Sequence, residues 1–193
     1  NSKEVLRDND LNHVNLPVNL GIGGAVQTGF KFALKNNYDV AIQLDGDGQH
    51  PADQLNRIIE PLVNGEADVV IGSRYLTKEG FQSSSLRRFG INFFRRTIKM
   101  LTRIEVKDAT SGFRALNVKA LDVVNEYYPD TYPEPEAIVL YAKNDLRIKE
   151  VPVIMRERQG GVSSITGSSS VYYMMKVFMA CVFAYIRPKQ SKE

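Results

Sequence analysis

At 193 residues and 21.7 kDa the chain can bury a core of its own, and its 43% hydrophobic and 24% charged composition excludes a disordered or collagen-like polymer. A single cysteine, Cys181, excludes an internal disulfide and cysteine-rich zinc modules, and only two histidines, His13 and His50, argue against a histidine-based zinc site. A net charge of +3 implies no nucleic-acid partner, although Arg74 to Lys107 holds nine Lys/Arg against Glu79 and Glu105, a local excess suited to an anionic surface or ligand.

The opening residues, Asn1 to Asn12, are polar and carry no apolar run of a secretory leader. Asn19 to Gly29 is a glycine-rich entry to a helix expected over 25–37. Val26 occupies the place of the third glycine of a dinucleotide fingerprint, and no Gly-Lys-Ser/Thr follows for a Walker loop. Gly21 and its neighbours therefore serve either a tight turn with helix packing or a ligand contact. Val40–Asp45 and Ala67–Gly72 are short β-branched runs, separated by a helical segment over 51–64 in which Leu55, Ile58, Ile59 and Leu62 share a face. Such runs suit a parallel sheet buried on both faces, and the alternation with helices predicts an α/β fold. Pro61 should kink or end the helix that carries it.

Ser84–Arg103 has the 3-4-3 spacing of an amphipathic helix through Ile91, Phe94, Ile98 and Leu101. Strands are expected over 111–116 and 147–154, with a helix over 136–144 between them. Gly160 to Ser170 reads as a loop rich in glycine and serine. The tail, Val171–Ile186, is apolar nearly all round but shorter than the ~20 residues that cross a bilayer. It packs on its own domain, lies on a membrane surface, or docks a membrane-spanning part.

The chemistry concentrates in Asp45-Gly46-Asp47-Gly48-Gln49-His50, at the carboxyl end of an expected parallel strand, where open α/β sheets bind ligands. Asp45, Asp47 and Gln49 offer only hard oxygen ligands, which suit Mg²⁺ or Mn²⁺ shared with a diphosphate. An EF-hand is excluded, because the sixth loop position is His50 and the twelfth is Asn56. His50 is read as a turn residue rather than a base. Arg74, ending the second strand, either clamps a phosphate or pairs with an acid. Asp108 in Asp108-Ala109-Thr110-Ser111-Gly112-Phe113-Arg114 either anchors its loop or contacts a sugar hydroxyl. Glu136, expected at a helix start after an extended Pro133-Glu134-Pro135, is either a helix-terminal charge or a positioned base. Arg156 to Ser164, with Arg158 and Ser163, has the chemistry of a phosphate-gripping loop.

In order, Asn-x-Gly-x-Gly-Gly at 19–24, Asp-Gly-Asp-Gly-Gln at 45–49, Gly-Ser-Arg at 72–74, Thr-Ser-Gly-Phe-Arg at 110–114, Glu136, Glu-Val-Pro at 150–152 and Arg158 leading to Gly161-Val-Ser163 resemble glycosyltransferase family 2, in its dolichol-phosphate mannosyltransferase-like branch. The resemblance covers roughly residues 15–165. It implies a three-layer nucleotide-diphospho-sugar transferase fold with a mostly parallel central sheet, over a partial catalytic domain at 1–168, followed by an apolar helix and basic tail at 169–193. It implies an inverting, metal-dependent transfer from a nucleotide-diphosphate sugar to a polyprenyl phosphate or a cell-envelope glycan. Asp45, Asp47 and Gln49 would hold the donor diphosphate through Mg²⁺ or Mn²⁺; Arg74, Arg114 and Arg158, with Ser163 and Gly21, would contact donor or acceptor phosphates. Glu136 or Asp108 would take the proton if the acceptor is a hydroxyl. The family's first β-α-β portion has no counterpart here: either a longer protein is truncated, or the sheet lacks strands and its exposed edge should promote self-association as a homo-oligomer. Basic helix and apolar tail place the expected activity peripherally at the cytoplasmic face of a membrane. The alternatives are a catalytically silent nucleotide-sugar-binding fragment or scaffold, and a nucleotidyltransferase, for which no triphosphate-gripping loop is found.

Overall fold

The computed structural model describes residues 2–77, 85–130, 133–156 and 170–189. Among them lie seven helices and four strands. In chain order these are α1 (Ser2–Asp8), α2 (Gly21–Lys35), β1 (Val40–Gln43), α3 (Leu55–Val63), β2 (Val69–Ser73), α4 (Ser85–Thr102), β3 (Arg114–Asn117), α5 (Val118–Glu126), α6 (Pro133–Lys143), β4 (Ile148–Pro152) and α7 (Ser170–Ile186). The strands form one sheet in the order β1-β3-β2-β4. β3 runs antiparallel to both neighbours, with Ile42 opposite Ala115 and Val70 opposite Ala115 from the other side. β2 and β4 are parallel, with Val70 opposite Lys149. Three strands thus share one direction and β3 is inserted against it, so the sheet is mixed.

Alternate residues of each strand enter opposite layers, because side chains alternate across a pleated sheet. Val69, Ile71 and Leu116 join the core under α2, α4, α5, α6 and α7, where Phe94, Ile98, Leu121, Ile138 and Val177 are buried. Val70, Ala115 and Phe113 face the other way, onto Ile58 and Leu62 of α3. Helices therefore cover both faces, and β2, buried at every position, reads as an unbroken apolar run.

Several boundaries differ from the sequence reading. α2 takes in Gly21, Gly23 and Gly24, because Gly23 lets the helix meet the 127–130 segment backbone to backbone. Its N–H donates to the Asp130 carbonyl at 3.0 Å, and an added Cβ would lie 2.0 Å from the Pro129 oxygen. α6 begins at Pro133 rather than near Glu136. Both prolines fall in its first turn, where a missing N–H costs no hydrogen bond. Pro61 is accommodated inside α3, which ends two residues later. α5 was not foreseen, although Asn117 caps it by accepting from the Ala120 N–H at 3.0 Å.

At the amino edge of β2, Asp68 is buried and accepts from Arg147 through its backbone N–H, Nε and Nη2, from Lys119 and from Asn117. These donors outweigh its burial and hold its carboxyl well below the usual range.

Two outcomes are expected. Gly23→Ala should lower stability by about 1–3 kcal/mol through overpacking. Gly29→Ala, where no atom lies within 4 Å of the added methyl, should gain up to about 1 kcal/mol of helix propensity; urea denaturation of both variants checks the pair. A carboxyl depressed on folding contributes stability above its unfolded pKa and loses it as pH falls. Asp68→Asn should therefore flatten the loss of stability below about pH 5, measured as urea midpoints across a pH series.

Candidate active site

β1, β2 and β3 converge at one edge of the sheet, and the chain leaving β1 turns there. The Gln49 N–H donates to Asp47 Oδ1 at 3.0 Å, which closes the turn. Gln49 is buried and locked to the exit of β4: its Nε2 donates to the Arg156 carbonyl at 3.3 Å, and the Arg156 N–H donates to the Gln49 carbonyl at 3.0 Å. Asp45 is exposed and Asp47 half-buried. The Asp45 N–H donates to His50 Nδ1 at 3.1 Å, and the His50 ring stacks on Phe113 at 4.9 Å between centroids. Gly112 makes room for the Asp45 carboxylate: a Cβ there would lie 2.9 and 3.0 Å from its two oxygens.

Beside this turn lies a buried ion pair. Arg74, at the exit of β2, is 4% exposed and Asp108 is fully buried. Arg74 Nε and Nη2 donate to the two Asp108 carboxylate oxygens, each at 2.7 Å, and the Arg74 N–H adds a third bond at 3.1 Å. Glu150 of β4 accepts from the Lys107 and Asp108 N–H groups at 2.7 and 2.8 Å, and burial pushes its carboxyl up. Ser111 Oγ donates to the Gly72 carbonyl at 2.6 Å. Arg114 is also fully buried, and donates to the carbonyls of Ser111 (2.8 Å), Ala109 (3.3 Å) and Glu134 (2.7 Å). Asp108 thus anchors its loop, and Arg114 ties that loop to the start of α6. Burial lowers the His50 pKa, against the raising influence of Asp45, Asp47 and Asp108.

Glu136 sits in α6 within the helical layer. It is 9% exposed and accepts from Tyr127 Oη at 2.7 Å. Burial raises its pKa, and burial with the adjacent carboxylate pushes the Tyr127 phenol up to about 12. Arg187, just past α7, lies 3.7 Å over the Tyr127 ring. The N–H of Gly21, in a left-handed conformation (φ 72°), donates to Asn19 Oδ1 at 2.9 Å.

The structure therefore gathers Asp45, Asp47, Gln49, Arg74 and Asp108 at one edge, and links Arg114 to them through the 108–114 loop. Glu136 belongs to a different group of contacts, with Tyr127 and Arg187. Arg158 and Ser163 lie outside the described residues. Sequence reasoning missed the parts played by His50, Gly112 and Phe113. Their neighbourhood in the Asp45–His50 and Thr110–Arg114 segments was a signal, but which atoms meet is a tertiary fact.

Comparison with known proteins bears on this edge. The family model described as glycosyl transferase family 2 matches residues 1–124. The chain is 35% identical over 141 residues to the UDP-N-acetylglucosamine–dolichyl-phosphate N-acetylglucosaminyltransferase of Methanococcus voltae, covering 70% of this chain and 55% of that protein. It is 30% identical over 161 residues to the polyprenol monophosphomannose synthase of Mycolicibacterium smegmatis, covering 81% and 60%. A dolichol-phosphate mannosyltransferase of Pyrococcus furiosus is 30% identical over 168 residues, covering 82% and 44%. The chain spans about half the length of these relatives. With a family match over most of its residues and relatives at this identity over more than two thirds of it, the chain belongs to glycosyl transferase family 2.

Proposed function

We propose that this chain carries the donor-binding edge of an inverting glycosyltransferase that moves a sugar from a nucleoside diphosphate to a polyprenyl phosphate. The observation that carries the reading is a contrast at the candidate site. Asp45 is exposed at the carboxyl edge of the sheet, with Asp47 half-buried beside it, whereas both candidate bases, Asp108 and Glu136, are buried and hydrogen-bonded. An acceptor phosphate is already anionic and needs no base, so this arrangement favours it over a sugar hydroxyl. The relatives named above for transfer to dolichyl phosphate and for polyprenol monophosphomannose synthesis support the same class.

The residues fit a hard dication. Among the described residues no group of three or more His, Cys, Asp and Glu could hold a metal ion. Two carboxylates and the Gln49 amide oxygen suit Mg²⁺ or Mn²⁺ that completes its shell with water and diphosphate oxygens. Such an ion would neutralise charge on the departing diphosphate. Asp45 and Asp47 orient that end of the donor. The acceptor oxygen then bonds to the anomeric carbon opposite the leaving oxygen, whose bond breaks with its electron pair going to the nucleoside diphosphate. Arg74 serves this edge through Asp108, by holding the 108–114 loop in place.

The outer face of α7 supports a peripheral membrane position. Tyr172, Met175, Met179, Phe183 and Ile186 are exposed at 3-4-4-3 spacing, while Val177, Cys181 and Ala184 are buried behind them. Lys176 and Arg187 flank this stripe, a pattern suited to an anionic headgroup plane. No helix among the described residues is long and apolar enough to cross a membrane.

Calorimetric titration of UDP-N-acetylglucosamine, GDP-mannose, UDP and GDP, with and without Mn²⁺, tests the donor site. Mn²⁺-dependent binding should weaken by about a hundredfold in Asp47→Ala. Binding unchanged in that variant overturns the site, and donor binding without sugar transfer to a polyprenyl phosphate favours the silent-module alternative. Sedimentation with anionic liposomes tests the membrane reading: salt-sensitive binding that Phe183→Asp abolishes is expected, and no binding by the unsubstituted chain refutes it.

A further inference from the structure

His50 lies between the two segments that shape the candidate donor site, and its chemistry there is determined. A backbone N–H can only donate, so the nitrogen facing the Asp45 N–H, His50 Nδ1, is the unprotonated acceptor of the ring. The same ring stacks on Phe113, with centroids 4.9 Å apart and planes inclined by 14°. Phe113 is fully buried in the core layer shared with Ile58 and Val153, so the stack rests on a fixed support. Phe113 directly follows Gly112, whose lack of a side chain lets the Asp45 carboxylate lie close: a Cβ there would be 2.9 and 3.0 Å from its oxygens. Asp45 is thus gripped at two points by one short structure, its N–H by His50 and its carboxylate against Gly112.

That double grip matters because Asp45 is exposed and two residues beyond the end of β1, where no ladder hydrogen bond fixes it. An exposed aspartate has free rotation about its side-chain bonds, and a carboxylate that must meet an incoming ligand loses affinity to that freedom.

We propose that His50 is a positioning residue for Asp45: its Nδ1 and its stack on Phe113 hold the Asp45 backbone so that the carboxylate stays seated against Gly112, presented to a dication or a diphosphate-bound dication. This deepens the donor-site reading above and rests on it for the identity of the ligand, but not for the contact itself.

Two variants separate the two attachments. His50→Phe keeps a ring to stack on Phe113 and removes the acceptor. His50→Asn removes the ring and keeps an acceptor oxygen close to the position of Nδ1. The first readout needs no ligand. In the ¹⁵N-labelled free chain, a trans-hydrogen-bond coupling should connect the Asp45 amide nitrogen to His50 Nδ1, and side-chain couplings should report a single Asp45 rotamer. In His50→Phe that rotamer should become averaged, and in His50→Asn it should be largely retained. The second readout is Mn²⁺ affinity in the presence of UDP or GDP, followed through the free-Mn²⁺ electron paramagnetic resonance signal. His50→Phe should bind about tenfold more weakly and His50→Asn within about threefold of the unsubstituted chain, since outer-shell partners of ligands typically contribute 10–100-fold.

Absence of the coupling, an Asp45 rotamer unchanged in His50→Phe, or equal loss in both variants overturns the proposal. Mn²⁺ binding that survives Asp47→Ala, or none by the unsubstituted chain, instead overturns the donor-site reading, and the ligand-free coupling and Asp45 rotamer still decide the part played by His50.

Discussion

The carboxyl edge of the sheet depends on the buried pair of Arg74 and Asp108. Moving two charges out of water is costly, and the cost is offset here by three hydrogen bonds from one arginine to one carboxylate. Removing either partner would leave the other as an uncompensated buried charge, so the exit of β2 and the start of the 108–114 loop must stay together. Glu150 adds the exit of β4 by accepting from the same loop, and Arg114 adds the first turn of α6. The loop held in this way presents Gly112 to Asp45 and Phe113 to His50. A buried pair therefore sets the geometry of the most exposed acid of the site.

Much of this frame was legible in the amino-acid sequence. The runs Val40–Asp45 and Ala67–Gly72 became β1 and β2 within two residues at each end, because short apolar stretches rich in Val and Ile favour a pleated, buried strand. The amphipathic spacing of Ile91, Phe94 and Ile98 gave α4, and all three are buried. The placement of Asp45 and Asp47 followed from their position just beyond a strand. The direction and place of β3 did not: four residues, Arg114–Asn117, carry no local record of which strands flank them, or that they run against both. α5 was hidden by the β-branched Val118, Val123 and Val124, whose intrinsic preference is against helix and is outweighed by burial of Ala120, Leu121 and Val124. The early start of α6 was obscured because proline reads as a breaker, although the first turn is where a helix tolerates it.

The residues of the resemblance also separate by what supports them. Asp45, Asp47 and Gln49 stand on the edge of the sheet, braced by β3 and β4. Glu136 stands in the helical layer, and its partner Tyr127 lies under the Arg187 guanidinium at the end of α7. Arg158 and Ser163, which follow β4 in sequence, lie outside the described residues. Glu136 therefore answers to the packing of α6 and α7, while the aspartates answer to the sheet. A perturbation of α7 should reach Glu136 before it reaches Asp45.

Four aspartates show how little residue type alone settles. Asp68 and Asp108 are both buried and both wrapped by arginine, one at the amino edge of β2 and the other beside its carboxyl edge. Their charges are offset internally, and each fastens neighbouring segments of chain. Asp45 and Asp47 lie beyond a strand end with more water around them, and glycines beside them keep the approach open. In sequence, Asp45 and Asp108 are both candidate acids of a site, each followed by small and polar residues. Burial and partner choice divide them, because Asp108 is fully buried with both oxygens bonded to the Arg74 guanidinium, whereas Asp45 is exposed. Asp45 is the acid of this edge that the fold leaves exposed while His50 holds its backbone N–H.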